Sequence, residues 1–126
     1  MSNVLVFGHQ NPDNDAIMSS VVLSQLLNQV EFDGNTYQAC CLGPLPAESA
    51  KLLEDNGVAA PMLIDAIEPA VEGEEAQLVV LCDHNEPGQS VAGLENAVIA
   101  GVVDHHRFGN FTTAAPLHIV ALPWGS

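Results

Sequence analysis

The chain has 126 residues, room for one domain with a core that needs no staples. It carries 2 Lys+Arg against 16 Asp+Glu, a net charge of −14, and such a surface repels nucleic acid and anionic lipid. No apolar run approaches a membrane span, and the N-terminus has neither a basic region nor a signal-like apolar core, which points to a cytoplasmic protein.

Asn3 to Phe7 reads as a short buried parallel strand closed by Gly8. The turn that follows is Gly8-His9-Gln10-Asn11-Pro12-Asp13-Asn14-Asp15, with one imidazole and two aspartates. Pro12 stiffens it and pushes Asn11 out of the helical region. Asp13 or Asn14 suits the N-cap of a helix over Asp15–Gln29, packed through Ile17, Val21, Leu23, Leu26 and Leu27. Gly34-Asn35 marks a turn, and Tyr37–Leu42 a second strand closed by Gly43-Pro44. Pro46 suits the first turn of a helix over Ala47–Asn56 that ends at Gly57.

Pro61–Ile64 reads as a short edge strand, and acidic Glu68–Glu75 as a solvated loop. Leu78–Cys82 is the third clear strand and runs into Asp83-His84-Asn85-Glu86, before a break at Pro87-Gly88. Ser90–Ala97 suits a short helix or turn. Val98–Val103 is the fourth clear strand, followed by Asp104-His105-His106-Arg107, and Leu117–Leu122 suits a fifth. Strands alternating with helices predict a single α/β domain: a mostly parallel sheet flanked by helices. Cys40, Cys41 and Cys82 all fall in strand-like runs, as buried reduced thiols rather than a disulfide framework.

Three apolar strands thus deliver Asp and His at the same end, and open α/β sheets bind ligands at the carboxyl ends of their strands. Taken singly these residues are ordinary: an Asp after a strand caps the next helix, and a His there packs or is solvated. Together they predict a metal site. Imidazole with carboxylates suits Mn, Co, Fe or Zn better than Mg, which prefers oxygen. A carboxylate between two ions can bridge them, and paired ions about 3.5–4 Å apart serve phosphoryl hydrolysis. His118 lies within a strand and reads as packed or exposed. Lys51 reads as a surface residue. Arg107 suits either a phosphate contact or a structural salt bridge.

Asp104-His105-His106 resembles the signature of the DHH phosphoesterases. Together with the Gly8–Asp15 turn and Asp83-His84-Asn85-Glu86, in that order, it resembles the manganese-dependent (family II) inorganic pyrophosphatases over nearly the whole chain. Asn14 stands where Thr or Ser is usual in that family. The resemblance implies a DHH-type N-terminal fold and hydrolysis of pyrophosphate to two phosphates by a hydroxide bridging two metals. It implies His9 and Asp13 as ligands of a first ion, Asp15 and His105 as ligands of a second, and Asp83 as a ligand of both. It implies His106 at the substrate phosphate, next to which Arg107 stands in sequence as a candidate phosphate contact, and Asp104 as an orienting residue of the catalytic set. The implied cofactor is Mn²⁺, at two or more ions, with Co²⁺ or Mg²⁺ as alternatives.

Members of that family are longer. They continue through a further shared aspartate into a C-terminal domain whose Lys and Arg grip pyrophosphate. Residues 1–126 therefore read as an N-terminal, incomplete metal-binding domain, nearly inactive alone, from a protein expected to be a cytoplasmic homodimer. Its expected partners include neither nucleic acid nor membrane. The competing readings are another DHH phosphoesterase, acting on polyphosphate, a cyclic dinucleotide or a short oligonucleotide, and an inactive metal-binding or dimerisation module.

Overall fold

Short β-branched and apolar runs ending at a glycine, proline or aspartate become the strands of one sheet. The computed structural model describes residues 3–30, 34–84, 90–104 and 118–121. The strands are β1 (Asn3–Phe7), β2 (Thr36–Cys41), β3 (Met62–Leu63), β4 (Gln77–Cys82), β5 (Ala97–Asp104) and β6 (His118–Ala121). Among the described residues the helices are α1 (Asn14–Val30) and α2 (Ala47–Asp55), and a 3-10 turn, Leu94–Asn96, precedes β5. All five strand pairings are parallel, in the order β3-β2-β1-β4-β5-β6.

This order positions the site. From β1 the chain moves outward through β2 to β3, then returns to the other side of β1 and moves outward through β4, β5 and β6. The direction of winding reverses between β1 and β4. Connections leaving those neighbouring strands diverge, and a crevice opens at their carboxyl ends. His9 follows β1 and Asp83 follows β4, so both stand at that crevice.

Strand side chains alternate between faces. Val4, Val6, Val80 and Cys82 point to the face that Leu23 and Leu27 of α1 cover. Leu53 of α2 joins the same side through Ile17, Val21 and Cys41. Leu5, Phe7, Val79 and Leu81 point to the other face, where Ile67, Val91 and Leu94 close the core. The expected flanking by helices therefore takes a one-sided form among the described residues: both helices cover one face, and extended segments with the 3-10 turn cover the other.

The packed stripe of α1 also differs from expectation. Leu26 is 51% exposed, whereas Ser20 and Ser24 are buried. Their hydroxyls donate to the carbonyls of Ile17 and Val21, at 2.8 and 2.9 Å, so burial leaves neither unsatisfied. Small side chains there let α1 lie close on the sheet. Hydropathy assigns both serines to the wet face, because it does not register this local bonding. Pro46 is the N-cap residue of α2, one position earlier than expected, with an extended ψ of 147°.

The three thiols are free and buried. Cys40 and Cys41 point to opposite faces, so adjacency in sequence does not bring their sulfurs together. Burial, with Cys41 as a neighbour, pushes the Cys40 thiol up to about 12, and burial also raises Cys41. Since the thiolate is the nucleophile, a disulfide reagent at pH 8 is expected to titrate these two only after denaturation. Rapid reaction of both in the native protein would contradict the packing.

Candidate metal centre

The first ligand-bearing turn is held by close packing. A Cβ on Gly8 would lie 2.6 Å from the Ala16 Cβ and 2.8 Å from its Cα. Only a glycine lets the end of β1 approach the first turn of α1 this closely. Gly8→Ala is expected to cost about 3 kcal/mol by overpacking and to lower the melting temperature by about 10 °C. Thermal denaturation checks this, and an unchanged transition would mean that the turn and helix are not so tightly apposed.

Asp13 caps α1: its Oδ1 accepts from the Ala16 amide at 3.0 Å. Asn14 begins the helix, and its Oδ1 accepts from the buried Ser49 hydroxyl at 2.9 Å, tying α2 to the start of α1. Pro12 lies against Gly43, where an added Cβ would stand 3.0 Å from its Cδ. Asn11 does leave the right-handed helical region ahead of Pro12, but enters the left-handed one, with φ 51°.

The second turn starts at Asp83. Its φ is 56°, and among the described residues only Asn11 shares a positive φ without being glycine. Asp and Asn tolerate this conformation better than other side chains. Both such residues stand at the crevice, where local strain re-aims the chain. The Asp83 amide donates to the Val103 carbonyl at 3.0 Å, and the residue is buried.

These two turns bring three predicted ligands together. His9 Nε2 lies 3.3 Å from Asp83 Oδ2 and 3.6 Å from Asp13 Oδ1. One ligand atom from each residue falls within 4.8 Å of the others. The His9 Nδ1 is 2.7 Å from the Gln10 carbonyl, which can only accept, so Nδ1 carries the proton. Nε2 of the neutral ring then turns its lone pair towards two carboxylates. That arrangement is repulsive unless a cation, a proton or a metal ion, sits among them. The donor set, one nitrogen and two carboxylates, fits a transition-metal ion.

Asp15 lies half-buried in the first turn of α1 and outside this triad. Asp104 is the last residue of β5, paired in register with Ala121. His105, His106 and Arg107 lie outside the described residues.

Sequence reasoning assigned no role to His84, yet it is fully buried. Its Nδ1 lies 2.8 Å from the Cys82 carbonyl and its Nε2 2.8 Å from the Ser90 hydroxyl. The Gln10 side-chain amide donates to the Ser90 carbonyl at 2.6 Å. The available signal was a histidine beside an expected ligand, but nothing in composition distinguishes a buried brace from a solvated ring.

Residues 3–126 match the DHH family, N-terminal domain. Three proteins of Streptococcus agalactiae, from serotypes Ia, V and III, are each 44% identical over all 126 residues. They are described as probable manganese-dependent inorganic pyrophosphatases, and the chain spans 39% of their length. A crystal structure of a Methanococcus jannaschii protein, described as a putative family II inorganic pyrophosphatase, superposes with a TM-score of 0.78 at 32% identity. The match covers 98% of this chain and 35% of that one. With the sheet order, the ligand-bearing turns and the match over residues 3–126 in agreement, the chain belongs to the DHH family, whose N-terminal domain it carries.

Proposed function

We propose that this chain is the metal-binding domain of a manganese-dependent inorganic pyrophosphatase. The observation that carries the reading is the His9 Nε2, set between the carboxylates of Asp13 and Asp83. The names of the S. agalactiae and M. jannaschii relatives support the substrate and the metal.

A divalent ion bound here would supply Lewis acidity and an activated water to phosphoanhydride hydrolysis. The chain's own contribution is placement. Gln10 fixes the His9 tautomer through its carbonyl, so that Nε2 faces the site. Asp13 holds its position by capping α1. Asp83 is set by its left-handed backbone and its bond to β5. Asp15 and His105 are proposed for a second ion, Asp83 for both, His106 and Arg107 for the substrate phosphate, and Asp104 for orienting a ligand.

We also infer that the domain works with further polypeptide that grips pyrophosphate, since the relatives named as pyrophosphatases are much longer. The strip Val22, Leu26 and Val103, exposed beside α1, offers apolar surface for such packing. A cytoplasmic homodimer is part of the same proposal. Three buried free thiols suit a reducing compartment, and a sheet that ends in the short strand β3 suits pairing with a second copy. Among the described residues no helix is long and apolar enough to cross a membrane.

The test is a chimera in which this chain replaces the matching 126 residues of an S. agalactiae relative. With Mn²⁺ it is expected to release phosphate from pyrophosphate in preference to polyphosphate, a cyclic dinucleotide or a short oligonucleotide. Preference for one of the others would transfer the reading to another DHH phosphoesterase. A folded chimera inactive on all four, beside an active parent, would overturn it.

A further inference from the structure

Hydrogen-bonded pairing of β1 with β4 runs only as far as Phe7 and Leu81. Beyond that point His9 Nε2 on one turn still lies 3.3 Å from Asp83 Oδ2 on the other. The bond from the Asp83 amide to Val103 of β5 holds one side of that gap, and the β1–β4 ladder does not reach the other.

We propose that His84, Ser90 and Gln10 form a brace that holds the two ligand-bearing turns at the spacing a metal ion requires. The brace begins beside one ligand and ends beside the other, since His84 follows Asp83 and Gln10 follows His9. The Cys82 carbonyl only accepts, so His84 Nδ1–H donates to it. In that tautomer the Nε2 of the neutral ring accepts from the Ser90 hydroxyl. Ser90 then accepts, through its carbonyl, from the Gln10 side chain. His84 and Ser90 are 0% and 1% exposed, so water does not compete for the two bonds of the imidazole, and bonds shielded in this way hold geometry more firmly. The Phe7 ring, tilted 30° to the imidazole at 6.1 Å, limits its movement from the β1 side. All three are positioning residues. The inference rests on the metal reading for its functional consequence, while the brace itself is made of the chain's own hydrogen bonds.

The links act in series, so breaking either end is equivalent to breaking both. Gln10→Ala changes an exposed side chain and is expected to leave the melting temperature within about 2 °C of wild type, since exposed substitutions usually change stability little. Ser90→Ala removes the hydroxyl and retains the carbonyl. Each variant of the 126-residue chain is expected to bind Mn²⁺ about tenfold more weakly, as is usual when groups that orient ligands are removed. The double variant should lose no more than either single. In the metal-free chain, hydrogen exchange at the Asp83 amide should accelerate about tenfold in both singles, while amides within β1 and β4 stay protected. Unchanged exchange at Asp83, or full additivity of the two affinity losses, would overturn the brace. Wild-type chain that fails to bind Mn²⁺ but shows the expected exchange pattern would remove the metal reading and leave the brace standing.

Discussion

The 126-residue chain by itself is expected to hydrolyse pyrophosphate at least about 10⁴-fold more slowly than the chimera, with Mn²⁺ present in both assays. Phosphoryl transfer is catalysed mainly by positioning and charge stabilisation. Loss of one preorganised electrostatic group typically costs a factor of about 10² to 10³, and at least two are needed to hold a second phosphate. The chain has only Lys51 and Arg107 as fixed cations against 16 acidic residues. Lys51 is on the exposed surface of α2, 3.9 Å from Asp55. Phosphate release by purified chain, compared with its own Asp83→Asn variant to exclude a contaminating hydrolase, measures this. Turnover near that of the chimera, abolished by Asp83→Asn, would mean that Arg107 and the metals suffice for the substrate.

Asp83→Asn is expected to weaken Mn²⁺ binding by at least about 100-fold, more than removal of an orienting group. Asn is the informative substitution because Asp83 has a φ of 56°. Asn tolerates this region, whereas Ala would add backbone strain to the loss of charge. Metal that binds only the native state raises its stability, by about 2.7 kcal/mol at a hundredfold excess over the dissociation constant. Saturating Mn²⁺ should therefore raise the wild-type melting temperature by about 10 °C and leave the variant nearly unchanged. Without metal the variant should be no less stable than wild type, because like charges no longer crowd the crevice. A wild-type transition that does not respond to Mn²⁺ would show that the triad is not a site in this chain.

The sequence by itself carried the strand runs, the two helices and the parallel class, because buried parallel strands are short apolar blocks and each block here ends at a glycine, proline or aspartate. It also carried the candidate ligands, since His9, Asp13 and Asp83 all stand just after strands. The cap at the start of α1 was likewise local, narrowed to Asp13 or Asn14 by turn chemistry, and Asp13 supplies it.

What local patterns do not encode, the tertiary structure decided. The order of strands places β1 beside β4 and so brings His9 to Asp83; no periodicity specifies which strands become neighbours. A register shift pairs Val79 with Ile99 but Val80 with Gly101. It leaves Ala100 as an extra residue and keeps Ile99 and Val102 in one core, whereas strict alternation would put them on opposite faces. The burial of Ser20, Ser24 and His84 was equally hidden, because polar side chains enter a core only when folding supplies each hydrogen bond, and those partners are known only once the chain has closed on itself.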